Sequence, residues 1–463
     1  MLYNYGVNPR GVSVSTLVKD KKALSSVVAT ILLIVLTVTA FIAFATWVGT
    51  ILYSFTKAER LRVIDHTWIS SSVPDIEVIR AAQVFPYDDF KEEFISEMKA
   101  AGVNTILYEV FNWGGVYFNT TYAPVLDDIL NHTIEVAHAN GIKVYAWMTI
   151  LSLDWVLEDH PEWAVIAYDY DTGEYIVGPG YYRVSPFVPE FIDYLKNLYS
   201  DLARYNIDGI MFQDDLVLGF NEDFSTYANA SYYADFGRYL NPLDMYDLDN
   251  WGIQTETGWE WIRWKSVKLM VLANEVMNAV HQVNPNVKFV LDAYAGTTYA
   301  PEDNVTWFGQ NITLAVEYNF DYVAVMSYQH GLAKAYNMTM DEACVFMKNM
   351  TEAAVNMTGD ASKVIMKIQV YDFDTLEVLS EEEIRNTLEA ILSTEHSEVG
   401  IGYFAHRSDL PLETIGESWQ INSSAPDGIK LEIINVGPSP VVLDHVLVNG
   451  VMFTNVTFTP GTL

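Results

Sequence analysis

Residues 208–215, DGIMFQDD, are the stretch of sequence that indicates the fold most directly. A glycine leads into a short apolar run, and two aspartates end it. Such a run is typical of a strand that is buried on both faces of a parallel sheet. The same pattern recurs along the chain and predicts eight strands: 76–84, 104–110, 143–150, 209–213, 288–292, 322–327, 363–370 and 400–404.

Amphipathic stretches separate these runs and predict the connecting helices. The predicted helices include 88–101, 126–140, 189–205, 259–284, 340–356 and 380–393. Eight β/α units predict an α/β fold, a (β/α)8 TIM barrel with long loops. A doubly wound open sheet is the alternative, but no glycine-rich phosphate loop follows the first strand, where that fold usually places one.

The N-terminal part of the chain has a different character. Residues 23–56 carry no charged side chain, and this run is long enough to cross a bilayer. Arg10, Lys19, Lys21 and Lys22 precede it, which predicts a cytoplasmic N-terminus, a single-pass cell-membrane protein and an extracellular barrel. A cleaved secretory signal is the alternative, but its apolar region usually spans only about 7–15 residues.

The junction KKALSSVVAT, residues 21–30, resembles the precursors of archaeal type IV pilins and archaellins. The resemblance implies that a peptidase removes the leader and keeps the helix, and that the helix can self-assemble. An uncleaved anchor with basic flanks is the alternative. Residues 429–458 read as short alternating strands and resemble the β-rich modules of the same proteins. The predicted parts are a basic leader (1–23), a transmembrane helix (24–56), a linker (57–75), the barrel (76–418) and a β-rich segment (425–463).

Composition limits the classes of partner. The net charge of −34 argues against nucleic acid, because binding it relies on Lys and Arg at the phosphates. No metal and no cofactor are expected, since no His/Cys/Asp spacing typical of a tight metal site and no Gly-x-Ser-x-Gly motif occurs. Ten Asn-x-Ser/Thr sequons follow the hydrophobic run, as in exported proteins. They are Asn119, Asn131, Asn229, Asn304, Asn311, Asn337, Asn349, Asn356, Asn422 and Asn455.

The candidate site residues follow the predicted strands, because TIM barrels build their active sites at the carboxyl ends of the strands. Asp214 and Asp215 are the foremost catalytic candidates, since neighbouring carboxylates repel and one pKa rises while the other stays low. The alternative is that one of the two caps the following segment. Glu109 is a candidate partner across the rim. The predicted substrate-binding residues are Trp147, Asp154, Asp292, Tyr294, Tyr328, His330, Asp372 and His406.

Six motifs carry a resemblance that covers the whole predicted barrel. In order they are KVYAWMTILSLD, RVSPFVPEFIDYLKNLYSDLARY, IDGIMFQDD, WFGQNI, YVAVMSY and KIQVYDFDT. They resemble the C-terminal glycosidase domain of bacterial poly-β-1,6-N-acetylglucosamine deacetylases. The resemblance implies cleavage of partly de-N-acetylated poly-β-1,6-glucosamine, with Asp214 and Asp215 in the substrate cleft.

The chain also departs from this family. Gln213 stands where the family usually has a histidine, and Phe220 stands near the place of a further acidic residue. Glu222, just beyond Phe220, becomes a fourth catalytic candidate for that reason. The family's companion deacetylase domain has no counterpart in this sequence.

These features favour a membrane-anchored extracellular glycoside hydrolase that acts on an amino-sugar polysaccharide by carboxylate acid/base catalysis. The strongly acidic surface is compatible with a cationic sugar. A non-catalytic glycan-binding or pilin-like filament protein is the main alternative, because a fold alone does not give activity. An amylase-like transglycosidase is a third possibility.

Overall fold

The computed structural model describes the barrel and parts of both flanking segments. The described residues are 61–69, 78–86, 92–178, 182–246, 255–394, 396, 398–404, 410–419, 428–435, 446–448 and 451–453. The predicted leader 1–23 and the predicted transmembrane helix 24–56 lie outside them. Among the residues that are described, no helix combines the length and the apolar character that a membrane span requires.

The chain forms two compact units, one of residues 74–424 and one that joins residues 1–73 to 425–463. The strands in chain order are β1 Leu61–Ile69, β2 Arg80–Val84, β3 Thr105–Glu109, β4 Phe111–Asn112, β5 Gly115–Val116, β6 Lys143–Met148, β7 Ile166–Asp169, β8 Glu174–Val177, β9 Gly209–Phe212, β10 Lys288–Tyr294, β11 Tyr322–Met326, β12 Val364–Gln369, β13 Gly400–Phe404, β14 Gly428–Asn435, β15 Val446–Val448 and β16 Val451–Phe453.

The helices connect the barrel strands and cover them. They are α1 Glu92–Ala100, α2 Leu130–Ala139, α3 Asp154–Asp159, α4 Pro189–Leu202, α5 Thr226–Phe236, α6 Glu256–Val283, α7 Gly296–Tyr299, α8 Pro301–Phe308, α9 Ile312–Glu317, α10 Gln329–Tyr336, α11 Met340–Thr358, α12 Glu381–Leu392 and α13 Leu412–Trp419. Side-chain caps fix the first turn of several of them, and α11 has a capping box between Thr339 and Glu342.

Eight parallel strands close into a barrel in the order β2-β3-β6-β9-β10-β11-β12-β13. The predicted α/β barrel is therefore confirmed, and each predicted strand overlaps one barrel strand. The open-sheet alternative is excluded because β13 pairs with β2. The short helices α7, α8 and α9 and the hairpins β4–β5 and β7–β8 were not predicted, since each is too short to show a clear period.

Aromatic side chains fill the barrel near the amino ends of its strands. The ring of Tyr145 lies so close to Gly209 on the next strand that a Cβ at this glycine would come within 2.6 Å of it. The same ring also meets Tyr322, with centroids 6.3 Å apart. The outward face packs on the helices, as Phe212 does against Tyr199 of α4 at 5.6 Å. The filled interior leaves the carboxyl ends of the strands to form the site.

The second unit contains strands from both ends of the chain. β1 pairs antiparallel with β14, from Leu61 opposite Asn435 to Ile69 opposite Gly428. β15 and β16 form a separate antiparallel pair. Leu61–Ile69, which lies within the predicted linker 57–75, thus forms a strand whose ladder partner comes from the far end of the chain. The predicted β-rich segment 425–463 contains all three described strands of that region.

Candidate active site

Polar side chains occupy the inner face of the barrel at the carboxyl ends of its strands. Strand alternation and the parallel registers place one or more of them on, or directly after, five of the eight strands, namely β2, β3, β9, β10 and β12. The buried members of this mouth layer are Gln83, Glu109, Gln213, Asp292, Lys367 and Gln369. A buried polar layer at the end of an otherwise apolar barrel is costly for folding, so its presence indicates function.

The neighbouring aspartates after β9 have different environments. Asp214 is half-buried and accepts a hydrogen bond from the hydroxyl of Tyr294 at 3.2 Å. Asp215 is buried and accepts hydrogen bonds from the Thr149 hydroxyl at 2.6 Å and from the backbone N–H groups of residues 150–152. The Asp215 carboxylate therefore holds the loop after β6, and its catalytic role stays a prediction. Asp214, which is less buried, is the stronger candidate of the pair.

Glu109 lies at the end of β3, opposite Trp147 of β6. Its side chain is buried, and its Oε2 has no hydrogen-bond partner in the described part of the chain. Burial raises the pKa of Glu109 to about 8, because desolvation penalises the charged carboxylate. At neutral pH this group is mainly a carboxylic acid, which is the state that a proton donor needs.

Asp292 and Lys367 form a buried ion pair across the mouth layer. The ammonium Nζ lies 2.6 Å from Asp292 Oδ2, and both residues are at most 2% exposed. Burial raises the pKa of Asp292 to about 6, Lys367 opposes that shift, and the charge of Asp214 adds to it. Asp214 and Asp292 are therefore electrostatically coupled, as the two carboxylates of one site would be.

Aromatic residues complete the mouth. Trp147 meets Phe85 and Phe111 edge to face at 5.6 and 6.1 Å. Tyr294 stacks on Phe308 with ring centroids 4.1 Å apart. Tyr328 is half-buried, and burial together with the charges of Asp292 and Asp214 raises its pKa well above the usual value. The structure brings the predicted residues Trp147, Tyr294 and Tyr328 to the same end of the barrel.

His330 and Asp372 lie together at a neighbouring part of this rim. The His330 ring lies between Glu383, at 3.0 Å from Nδ1, and Asp372, at 3.5 Å from Nε2. Lys334 also pairs with Asp372 at 2.7 Å and, with a backbone N–H, keeps the pKa of that carboxyl well below its usual range. Both predicted residues are thus engaged in a surface network of charges.

Of the two remaining predicted residues, Asp154 is described by the structure and His406 is not. Asp154 begins α3, and its pKa is raised by burial and by the charge of Glu158. His406 lies outside the described residues, so its predicted role stays a prediction.

Glu222, the fourth catalytic candidate, has protein partners, and its catalytic role stays a prediction. Its carboxylate forms a bidentate pair with Arg183, with nitrogen–oxygen distances of 2.7 and 2.6 Å, and both side chains are buried. The backbone N–H of Gly219 donates to the same carboxylate at 2.7 Å. The Lys265 ammonium, also buried, donates to the carbonyls of Gly219 and Glu222. Glu222 therefore stabilises the loop that follows Asp214, and its carboxylate is occupied by protein groups.

Sequence reasoning missed Lys367, Gln83 and Gln369. A lysine inside the apolar strand VIMKIQ is an available signal, because a buried lysine requires a partner. Gln83 has neither of its amide atoms hydrogen-bonded to a described residue. Gln369 is held by a reciprocal contact with Gln329, whose amide donates to the Gln369 carbonyl at 2.8 Å and accepts from its N–H at 3.0 Å.

Comparison with known proteins finds two similar sequences that carry the same name, both from Escherichia coli. Over 267 residues the chain is 28% identical to the poly-beta-1,6-N-acetyl-D-glucosamine N-deacetylase of Escherichia coli K12, which covers 56% of this chain. The chain spans only 37% of the length of that relative. An equal match exists in Escherichia coli O157:H7.

Solved structures share the fold. The glycoside hydrolase domain of PgaB (BpsB) from Bordetella bronchiseptica superposes with a TM-score of 0.61 at 22% identity, over 74% of this chain and 98% of that domain. A β-galactosidase from Rahnella sp. R3 superposes with a TM-score of 0.56 at 13% identity, over 77% of this chain and 57% of that one. The family model of hypothetical glycosyl hydrolase family 13 matches residues 93–404, which include β3 to β13, and the chain therefore belongs to this family.

Proposed function

We propose that the protein is a glycoside hydrolase that cleaves an amino-sugar polysaccharide, of the poly-β-1,6-glucosamine type, at the barrel mouth. The observation that carries the proposal is the contrast between two carboxyl groups of that mouth. Glu109 is buried with a pKa of about 8, whereas Asp214 reaches solvent and accepts a hydrogen bond from Tyr294. Glycosidases need one carboxylic acid and one carboxylate on either side of the bond they cleave.

In the proposed reaction Glu109 gives its proton to the oxygen of the leaving sugar. The bond between that oxygen and the anomeric carbon then breaks, and positive charge develops on the sugar ring. Asp214 stabilises this oxocarbenium-like centre, directly or through the substrate's own acetamide group, until water adds. Glu109 then recovers a proton from that water. The first of these steps follows from the raised pKa of Glu109, which keeps its carboxyl group protonated at neutral pH.

The choice of an amino sugar rests on two observations. The relative from Escherichia coli is named for poly-beta-1,6-N-acetyl-D-glucosamine. The chain's net charge of −34 favours a cationic polymer over an anionic one. Trp147, Tyr294 and Tyr328 supply aromatic faces of the kind that stack on sugar rings.

The test uses the full chain in detergent with partly de-N-acetylated poly-β-1,6-glucosamine, and mass spectrometry of the products. We expect the polymer to be shortened, and Glu109→Gln and Asp214→Asn to lower kcat by about 10²-fold or more, the scale of general acid catalysis. Asp193→Asn, an exposed carboxylate on α4, serves as the matched control and should retain full activity. Tight binding without any shortening, or full activity in both variants, contradicts the proposal and favours a glycan-binding protein.

We further propose that residues 24–56 anchor the protein in the cell membrane with the barrel on the outer face. The long uncharged run, its basic N-terminal flank and the sequons support this topology. The protein should stay in the membrane pellet after an alkaline wash, and external protease should digest the barrel in intact cells. Recovery in the washed supernatant contradicts the anchor. Self-assembly through the same helix would appear as filaments in electron micrographs of purified protein.

A further inference from the structure

The buried pair of Asp292 and Lys367 has no role in the reaction proposed above. Lys367 lies within β12, between apolar neighbours, and is 1% exposed. Burying two charges removes their hydration, a penalty that their mutual attraction must first offset. A pair of apolar residues would fill the same volume at lower cost, so the pair requires an explanation other than stability.

The surroundings of Lys367 hold its ammonium group in one place. The Nζ lies 5.8 Å from the ring of Tyr328 and 5.5 Å from the ring of Phe404, so two aromatic faces flank the charge. On the neighbouring strand, a Cβ at Gly402 would lie 3.1 Å from Lys367 Cγ, so this glycine leaves room for the lysine stem. Residues on, or directly after, the three strands β11, β12 and β13 thus hold the ammonium group of Lys367 in place.

The contacts of Asp292 are uneven. Its Oδ2 accepts from Lys367 at 2.6 Å, while its Oδ1 is buried and has no partner among the described side chains and backbone. The ionisable groups around it are Lys367 on β12, Asp214 after β9, Tyr328 after β11, and Tyr294 on its own strand. Lys367 is the cation among them, and Asp214 is the competing anion.

Resting on the proposed function, we propose that Lys367 is a positioning residue that keeps Asp292 ionised beside Asp214 and leaves Oδ1 as a free acceptor for the substrate. The charge of Asp214 acts on Asp292, and two interacting carboxylates would otherwise share a proton, as like charges in one site do. With Lys367 present, the mouth carries two carboxylates and one carboxylic acid, Glu109. The second carboxylate accepts a hydrogen bond from a hydroxyl or N–H group of the sugar during cleavage.

The test is the pH profile of kcat/KM in Lys367→Met. In the natural protein we expect an acidic limb near pH 6, where Asp292 takes up a proton. Removal of the ammonium should move that limb upward by one unit or more, so that kcat/KM at pH 6 falls about fivefold or more, while the alkaline limb set by the Glu109 acid near pH 8 stays in place. A role in folding alone would lower kcat/KM by the same factor at every pH. A limb that stays in place overturns the proposal.

The controls keep this result interpretable. Lys288 begins β10, the strand that carries Asp292, and pairs with Asp321 at 2.8 Å. Lys288→Met should therefore leave the acidic limb unchanged. Lys367→Arg keeps a cation and should keep the limb. In Lys367→Met with Asp292→Asn the limb should disappear.

A readout without substrate separates this proposal from the proposed function. The full chain is produced with aspartate that carries an isotope label at the side-chain carboxyl carbon, and its NMR spectrum is recorded through a pH titration. The Asp292 signal is identified as the one that is missing from the spectrum of Asp292→Asn. The Asp292 signal should titrate at least one unit higher in Lys367→Met. This shift in a protein that cleaves no polymer would support the role of Lys367 while the hydrolase proposal fails. Hydrolysis with an unshifted signal would support the hydrolase proposal and overturn the role of Lys367.

Discussion

At the residue scale, adjacent aspartates illustrate how environment divides roles. Asp214 and Asp215 are adjacent, yet Asp214 is half-buried whereas Asp215 is 2% exposed. The strand ends at Phe212, so strand alternation no longer dictates the directions of their side chains. The Asp215 carboxylate accepts hydrogen bonds from a hydroxyl and from backbone N–H groups, so it holds the neighbouring loop, as hydrogen-bonded buried polar groups commonly do. The sequence shows the pair but not this division.

The raised pKa of Glu109 predicts how the free energy of unfolding depends on pH. Its pKa rises from 4.5 to about 8 on folding, so between these values the native state binds a proton that the unfolded chain has lost. The stability from this group is therefore fully present below pH 4.5 and declines as pH rises towards 8, by at most about 1.4 kcal/mol per unit.

Glu109→Gln removes this dependence, because glutamine stays neutral. We expect the variant to be more stable than the natural protein at pH 8 and similar to it at pH 5, as measured by urea denaturation. A constant difference between the two proteins at both pH values would contradict the raised pKa.

At the element scale, the loop between β9 and α5 is held by buried charges. Arg183 pairs with Glu222 and also donates to the Val217 carbonyl at 3.0 Å. Lys265 of α6 donates to two carbonyls of the loop and lies 3.7 Å from the centre of the Trp261 ring. Burial lowers the pKa of Lys265 to about 7. This loop begins directly after Asp214, so its rigidity positions the candidate carboxylate.

Breaking this pair at one partner should be costly. Glu222→Gln leaves the Arg183 charge buried without its partner, which typically costs about 3–5 kcal/mol. We expect the free energy of unfolding to fall by that amount, and kcat to fall through displacement of Asp214 with little change in KM. Combining Arg183→Met with Glu222→Gln should destabilise the protein less than the sum of both single changes. Additive losses would contradict the stabilising role of the ion pair.

At the scale of the whole molecule, the structure sorts the sequons by accessibility. Asn304 is 3% exposed, and its side-chain nitrogen donates to the Gln310 carbonyl at 3.2 Å. The sequons Asn422 and Asn455 lie outside the described residues. A folded barrel therefore offers only part of its sequons to a glycosylating enzyme. The exposed asparagines are Asn119, Asn131, Asn337, Asn349 and Asn356.

If the barrel is exported, glycopeptide mass spectrometry should find sugars at exposed positions and an unmodified Asn304. Each glycan needs the asparagine nitrogen, which a buried hydrogen bond withholds. Modification at Asn304 would show that glycosylation precedes folding there. The absence of sugar at every sequon would remove this support for the extracellular location.

The sequence by itself determined the α/β barrel and the end at which its site lies. Apolar runs of strand length alternate with amphipathic helices, and this local pattern is enough to predict eight parallel strands. The same pattern identified Glu109, Asp214, Asp292, Tyr294 and Tyr328 as mouth residues, because each follows or ends a strand.

Only the tertiary structure decided which partners each of these groups has. Asp215 and Glu222 are occupied by partners from distant segments, at residues 149–152 and at Arg183. Lys367 on β12 meets Asp292 on β10 across one intervening strand, β11, and β1 pairs with β14 at the other end of the chain. The local sequence pattern predicts which residues are buried and whether they belong to a helix or a strand. Protonation states and ion pairs depend on neighbours that are distant in sequence, so only the folded structure shows them.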